Sequence, residues 1–306
     1  MEVAITGASG LIGSALARSL RDEGHTVRPL VRPSSGRTSP GAGDPAAIRW
    51  DPAAGTIDVE RLDGIDAVVH LAGAGIGDKR WSPSRKREIR ESRTRGTELL
   101  ARTLAGLARP PAVLVSGSAV GYYGDRGDEQ LTEASGPGDD FLADLVQAWE
   151  AAAQPAVDAG IRSVFTRSGV VLSADGGMLP RLLPLFRFCL GGRMGSGRQW
   201  LPWVSIDDEV RIVRFLIERD DISGPVNVTA PAPVTNAEFA KALGAALHRP
   251  AVLPVPAFGP RLVFGREMAD ELLFVSQRVV PGVLGDAGYA FTHPELASAL
   301  RAAVGS

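Results

Sequence analysis

Gly7, Gly10 and Gly13 are the residues of this chain whose type and spacing speak most directly of chemistry. Without a Cβ, a glycine backbone turns tightly and approaches a ligand closely. Three of them at intervals of three, with Ser9, Leu11 and Ile12 among them, make a loop suited to cradling a pyrophosphate. Gly7 permits a sharp exit from a strand, Gly10 brings backbone N–H groups to the phosphates, and Gly13 allows a helix to pack closely on the sheet. The elements that must position these glycines are legible on either side. Residues 3–6 form a short β-type run, and Ile12, Leu16 and Leu20 recur at the helical i, i+4, i+8 spacing. Strand, glycine turn and helix in that order place the phosphates on a helix N-terminus, where unpaired N–H groups and the dipole favour negative charge. Gly7, Ser9, Gly10, Leu11, Ile12 and Gly13 are therefore expected to bind a dinucleotide.

A site that prefers NAD carries an acidic residue about 20 residues beyond the glycines, to hold the ribose 2′-OH. Here the second strand ends at Val31-Arg32, with Pro33, Ser34, Ser35 and Arg37 next, and no acid lies between Glu23 and Asp44. An arginine at that place pairs with a 2′-phosphate, and serines can donate to it. Val31 and Arg32 are thus expected at the adenosine end, with NADP favoured over NAD; the alternative is that Arg32 is a solvated residue at a strand end. The stretch from Ser84 carries many charges that read as a solvated helix face. Ile89, Arg93, Gly96 and Leu100, however, share one stripe that should face the sheet. Arg93 is expected to point inward, within reach of the cofactor, with Glu88 a turn earlier as its partner. His70, within a buried strand, reads as a packed histidine. Asp139-Asp140 and Asp207-Asp208 each open a helical run and read as caps, and no His/Cys/Asp cluster has metal-ligand spacing.

Strand signals at 3–6, 26–31, 67–71, 112–116 and 163–167 alternate with helical patterns at 12–23, 84–107 and 140–158. That rhythm predicts a Rossmann-type α/β fold, a doubly wound parallel sheet. Residues 33–55 read as loop with one short strand around 48–50. After Arg167 the rhythm breaks, returning to the sheet with a helix at 207–219 and a strand at 225–228. The expected division is a dinucleotide-binding domain over 1–173 and 204–229, and a smaller, mainly C-terminal substrate lobe over 174–203 and 230–306. The glycine-, arginine- and tryptophan-bearing segment 191–203 reads either as the mouth of a site for an anionic or ring-bearing ligand or as a plain surface loop. With 33 basic against 35 acidic residues, the net charge of −2 gives no reason to expect nucleic acid or a membrane as partner. The single cysteine, Cys189, cannot form an internal disulfide, and no basic-plus-apolar leader precedes the first strand, so a cytoplasmic location is expected.

The T-G-x-x-G-x-x-G pattern at 6–13 resembles that of the extended short-chain dehydrogenase/reductase superfamily. The resemblance implies that Leu71, Ala72 and Gly73 lie against the adenine ribose and phosphates. It also implies catalysis by a tyrosine, a lysine four residues later, and a serine or threonine from the preceding strand. The three tyrosines, Tyr122, Tyr123 and Tyr289, have Arg126, Gly127 and His293 at i+4, so no YxxxK exists in this chain. The serine survives: in the run from Ser116 to Gly124, Ser118 is the best match, and Tyr122 or Tyr123 could stand in as proton donor from the same loop. The alternative is that these aromatics pack the loop over the cofactor.

Segments 167–172, 191–203, 235–240 and 288–291 together resemble the YfcH-like "epimerase family" proteins over essentially the whole chain, including a C-terminal region of unassigned function. This resemblance implies that Val171 lines the nicotinamide side. Ser205 departs from it, standing where relatives often have histidine. The expected function is an NADP(H)-dependent oxidoreductase or epimerase-like enzyme acting on a small polar substrate. The alternative is a non-catalytic NADP-binding regulatory or redox-sensing scaffold.

Overall fold

The computed structural model describes residues 1–32 and 45–305. Its centre is a sheet whose parallel strands are β1 (Glu2–Thr6), β2 (Thr26–Val31), β3 (Ile48–Asp51), β4 (Ala67–His70), β5 (Val113–Ala119), β6 (Arg162–Ser168) and β7 (Gly224–Val228). Their spatial order is β7-β6-β5-β4-β1-β2-β3, and Thr56–Ile57 adds an antiparallel edge beside β3. The order reverses between β1 and β4, which is where an open α/β sheet leaves a crevice beyond its strand ends.

Burial alternates along each central strand, as the period of two requires. Val3 and Ile5 enter one apolar core with Val69, Val115, Leu16 and Leu20. Ala4, Val68 and Leu114 enter another with Trp50, Leu100 and Leu104. The first core is covered by α1 (Leu11–Asp22) and the second by α2 (Pro83–Ala105). Helices on both faces make the sheet doubly wound, as the alternating pattern predicts. After α2 come α3 (Phe141–Ala151), α4 (Leu179–Arg187), α5 (Ile206–Glu218), α6 (Asn236–Ala246) and α7 (Leu296–Val304).

A third core gathers Leu172, Leu183, Phe186, Trp203, Phe239, Leu243, Leu296 and Leu300 from α4, α6, α7 and the short strands between them. The segments that build this core and the first one alternate along the chain. Leu172, on the strand Val170–Ser173, belongs to the third core, whereas Leu284, Tyr289 and Phe291 of the C-terminal tail pack on the first. Asp140 caps α3 by accepting from the Ala143 N–H at 2.8 Å, and Ser205 caps α5 by accepting from the Asp208 N–H at 3.0 Å. Asp208 does more than open its helix: its carboxylate accepts from Ser205 and from the backbone N–H groups of Thr292 and His293, tying the tail to α5. Among the described residues, no helix is long and apolar enough to cross a membrane.

Candidate active site

Gly7 leaves β1 at φ +70°, a left-handed conformation that strains any residue with a Cβ. A Cβ on Gly13 would lie 2.9 Å from the Gly7 carbonyl carbon and overlap its oxygen. The Gly10 N–H donates to Gly7 O at 2.9 Å, closing the turn. Gly10 is also the N-cap of α1 and offers no side chain to the first-turn N–H groups, and that turn carries no acid. These donors face a cleft of about 350 Å³ lined by Gly7, Gly10, Leu11, Ile12, Gly13 and Leu71 at one end and by Ser118, Ser168, Val170 and Val171 at the other. Ser9 is exposed beside it. The Thr6 hydroxyl, at the end of β1, accepts from the N–H groups of Leu71 and Ala72 and pairs with His70 Nδ1 at 2.7 Å. This contact places the Leu71-Ala72-Gly73 backbone beside the glycine turn. His70 itself is fully buried edge-on to Trp50, and desolvation, with Arg93 nearby, lowers its pKa to about 4, so it is neutral.

Arg32 is exposed at the end of β2 and Val31 is half-buried; Ser34, Ser35 and Arg37 lie outside the described residues. Arg93 points inward. Its guanidinium donates to the carbonyls of Ala74 and Ile89 and lies 4.9 Å from the Trp149 ring, and burial lowers its pKa to about 10. Glu88 does not join it: five residues apart on a helix is about 140° of rotation, and Glu88 faces solvent, paired with Arg85 at 2.7 Å. The expected Arg93–Glu88 partnership is corrected on that ground.

Beside the cleft lies a second cavity of about 170 Å³, walled by Arg93, Val120, Leu145, Phe239 and Glu271 and by Met194, Gln199, Trp200, Leu201 and Pro202. The last five come from the glycine-rich segment, whose arginines, Arg193 and Arg198, do not line this cavity. Trp149, Ser168, Val170 and Met178 wall both spaces, which meet there. Trp149 is fixed by its indole N–H, which donates to Thr97 Oγ1 at 3.0 Å.

Ser118 reaches the cleft from the end of β5, and its hydroxyl donates to Glu150 Oε1 at 2.6 Å. Arg167 holds both oxygens of the same carboxylate, at 2.9 and 2.8 Å, and donates to the Tyr123 hydroxyl at 3.1 Å. Tyr123 in turn donates to Asn227 Oδ1 at 2.7 Å, has no exposed surface, and has its pKa raised by burial. Tyr122 stacks beneath the Arg167 guanidinium, 3.5 Å from ring centre to carbon. Neither tyrosine lines the cleft or the second cavity. The structure brings Ser118 to the cleft with the glycines and Val171. It sets Tyr122 and Tyr123 behind it, packing the loop around Arg167.

Sequence reasoning passed over two carboxyls, one behind the junction and one in the second cavity. Ser168, on the last residue of β6, donates to Glu209 Oε1 at 2.7 Å. Glu209 has no exposed surface, and desolvation raises its pKa to about 7. A signal existed: Glu209, Ile212, Val213 and Leu216 share the apolar stripe of α5, an unusual place for a carboxylate. Glu271, in the second cavity, sits in a single π-helical turn over Asp270–Phe274, and burial raises it to about 7 against help from the Leu142 N–H. Nothing in the periodicity signals that turn. Among the described residues no cluster of His, Cys, Asp or Glu could hold a metal ion.

Residues 3–229 match the model of the NAD dependent epimerase/dehydratase family, and residues 255–303 match one described as a domain of unknown function, DUF1731. The chain belongs to the NAD dependent epimerase/dehydratase family. An epimerase family protein of Mycobacterium bovis, Mb2239, is 46% identical over 97% of this chain and 96% of its own length. The crystal structure of human epimerase family protein SDR39U1 with NADPH superposes with a TM-score of 0.88 at 38% identity, covering 99% of each chain. The structure of a protein described as a nucleoside-diphosphate sugar epimerase from Corynebacterium glutamicum superposes at TM-score 0.80 and 40% identity. It covers all of this chain and 58% of that one. The absence of YxxxK therefore belongs to a family member with a complete dinucleotide fold.

Proposed function

We propose that this family member binds NADP(H) in the glycine-lined cleft and acts as an oxidoreductase or epimerase-like enzyme on a small substrate held in the second cavity. The observation that carries the reading is the shared wall of Trp149, Ser168, Val170 and Met178, which brings the far end of the cleft against the second cavity. The residues fit the dinucleotide. The α1 N-terminus offers uncapped N–H groups to a pyrophosphate, Gly7 and Gly13 leave the space a Cβ would fill, and exposed Arg32 stands where a 2′-phosphate would arrive. The human relative's structure with NADPH supports the same choice of dinucleotide. When bound, NADP(H) supplies or accepts hydride.

The chain's own residues then have separable tasks. The glycine turn binds and orients. Val171 and Leu71 shape the cleft, and Trp149 and Met178 exclude water from the junction. Ser118 faces the cleft with its hydrogen committed to Glu150. Through its lone pairs it accepts, and to donate to a substrate oxygen it must turn away from that carboxylate. Trp200, Leu201 and Phe239 give the substrate cavity an apolar body, with Gln199, Asn236, Gln277 and Glu271 as its polar points. A non-catalytic NADP-binding role is favoured by one feature, the sequestration of Tyr123 between Arg167 and Asn227. A panel of small carbonyl compounds and alcohols, monitored by NADPH absorbance, separates the two. Turnover supports the oxidoreductase, and tight NADPH binding with neither net turnover nor isomerised product supports the scaffold.

A further inference from the structure

We propose that Ser168 and Glu209 form a proton relay at the junction of the two cavities, with Ser168 exchanging a proton with the substrate oxygen and Glu209 holding it from behind. The proposal rests on the oxidoreductase reading above and answers its open question, the source of the proton in a chain without a tyrosine–lysine pair.

The geometry is specific to these two residues. Ser168 is the hydroxyl that walls both the dinucleotide cleft and the second cavity. Ser118 walls only the first, and the carboxylate behind it is held on both oxygens by Arg167. Ser168 Oγ lies 2.7 Å from Glu209 Oε1, whereas Glu209 Oε2, fully buried, has no hydrogen-bond partner. A carboxylate so placed is costly unless it takes a proton. The charges around it do not supply a counter-ion. On its own helix, Asp208 is spent on Ser205 and the N–H groups of Thr292 and His293, Arg211 turns to Thr292, and Arg214 turns to Ser19 and Glu23. From β6, Arg167 is spent on Glu150 and Tyr123. Burial therefore governs Glu209, opposed only by the Ser168 hydroxyl, and holds it near neutrality at about 7.

The transfer balances. Where a bound reduced dinucleotide would supply hydride to a substrate carbonyl carbon, Ser168 would give its Oγ proton to the carbonyl oxygen, so that the C=O becomes CH–OH. In the reacting form Glu209 carries its proton on Oε1 and donates it to Ser168 Oγ, the reverse of the resting bond, which frees the serine hydrogen; Ser168 then takes that proton and Glu209 is left as carboxylate. After product leaves, water reaching half-buried Ser168 returns a proton by the same path. Oxidation of an alcohol runs the steps backwards.

The first test needs no substrate. Protein loaded with NADP⁺ is titrated across neutral pH by infrared spectroscopy as wild type, Glu209→Gln and Ser168→Ala. Glu271 also titrates near 7, so the wild-type-minus-Glu209→Gln difference is what is read. A protonated-carboxyl C=O band should fade in that difference through about pH 7 and move to higher pH in Ser168→Ala, where the carboxylate loses its donor. A difference with no such band, or a band indifferent to Ser168, overturns the relay. The second test uses any substrate the carbonyl panel yields. Glu209→Gln should slow single-turnover reduction by about 10²-fold or more and flatten its pH profile, with NADPH affinity unchanged. Turnover with a wild-type rate and pH profile in Glu209→Gln overturns the relay and leaves the oxidoreductase reading intact. A titrating Ser168–Glu209 pair in a protein with no turnover counts against the oxidoreductase reading instead.

Discussion

Replacing Gly13 by alanine should damage both stability and dinucleotide binding, and the structure says by how much. The added Cβ would stand 2.9 Å from the Gly7 carbonyl carbon and 3.0 Å from Ala8 Cα, and closer still to Gly7 O. Non-bonded carbons prefer about 3.5–4.0 Å, so the overlap approaches 1 Å. All three neighbours are backbone atoms, so no rotamer change relieves it and the start of α1 must lift from the turn. Overpacking of this kind costs about 1–3 kcal/mol. The upper half of that range applies here, because Gly7 is already held at φ +70° and cannot retreat freely. The same lift withdraws the first-turn N–H groups from a pyrophosphate, and losing about 1.4 kcal/mol of contact weakens binding tenfold. Gly10→Ala is the internal control: its Cβ meets only Gly7 O at 3.2 Å, a few tenths of an ångström short of ordinary contact, so its cost should be the smaller. Gly285→Ala is the second control, since nothing lies near its Cβ, and alanine there should add about 0.4–1 kcal/mol. Urea unfolding reads the stabilities, and quenching of Trp149, which walls the cleft, reads NADPH binding. The reasoning fails if Gly13→Ala unfolds at the wild-type midpoint, or if Gly10→Ala proves the less stable of the two.

Arg32→Asp should erase a preference for NADPH over NADH. A charge-assisted bond to a phosphate contributes about 1.5–3 kcal/mol, so the gap should exceed tenfold in wild type, and equal titrations of the two in wild type would refute the reading. Glu150→Gln leaves Arg167 buried without its carboxylate. It should cost about 3–5 kcal/mol, read as a large fall in the unfolding midpoint, because the side chains are only 4% and 13% exposed. The pH dependence of stability should contain opposed contributions, of which His70 and Glu209 are the fully buried ones. Native His70, lowered to about 4, holds fewer protons than the unfolded chain between about 4 and 6.5, so its contribution falls on acidification through that window. Native Glu209, raised to about 7, holds more protons than the unfolded chain between about 4.5 and 7, so its contribution falls as pH rises. Each amounts to about 3 kcal/mol by the size of its shift, and where the windows overlap they nearly cancel. Glu271 acts in the same direction as Glu209 and remains in the variant, so Glu209→Gln should tilt the profile toward the His70 slope, stability rising more with pH than in wild type between about 4.5 and 7 in urea titrations; a profile parallel to wild type would refute the assignment.

The sheet was legible because its physics is local. β1, β4 and β5 announce themselves as short apolar runs, α1 by its apolar spacing, and the glycine turn by residues that only a close backbone approach requires. The glycine turn could be read for the same reason: it works through its backbone, and glycine betrays what the backbone must do. The far end of the cleft could not, because its side chains find their partners in distant segments. Glu150 is 17 residues from Arg167 and 32 from Ser118, and no periodicity connects them. Tyr123 shows the hazard. As a tyrosine in the loop just past Ser118 it reads as a proton donor, yet a bond to Asn227, 104 residues away, makes it a strut for the loop. Glu209 shows the converse. Its stripe position on α5 marks it as buried, but only the fold brings Ser168 from β6 to its carboxylate and opens that serine to both cavities. A buried acid with one hydroxyl neighbour and one unsatisfied oxygen costs stability that a leucine would not. A chain that carries it there, behind the serine at the meeting point of its two cavities and without the usual tyrosine–lysine pair, keeps a proton one hydroxyl away from where hydride chemistry would need one.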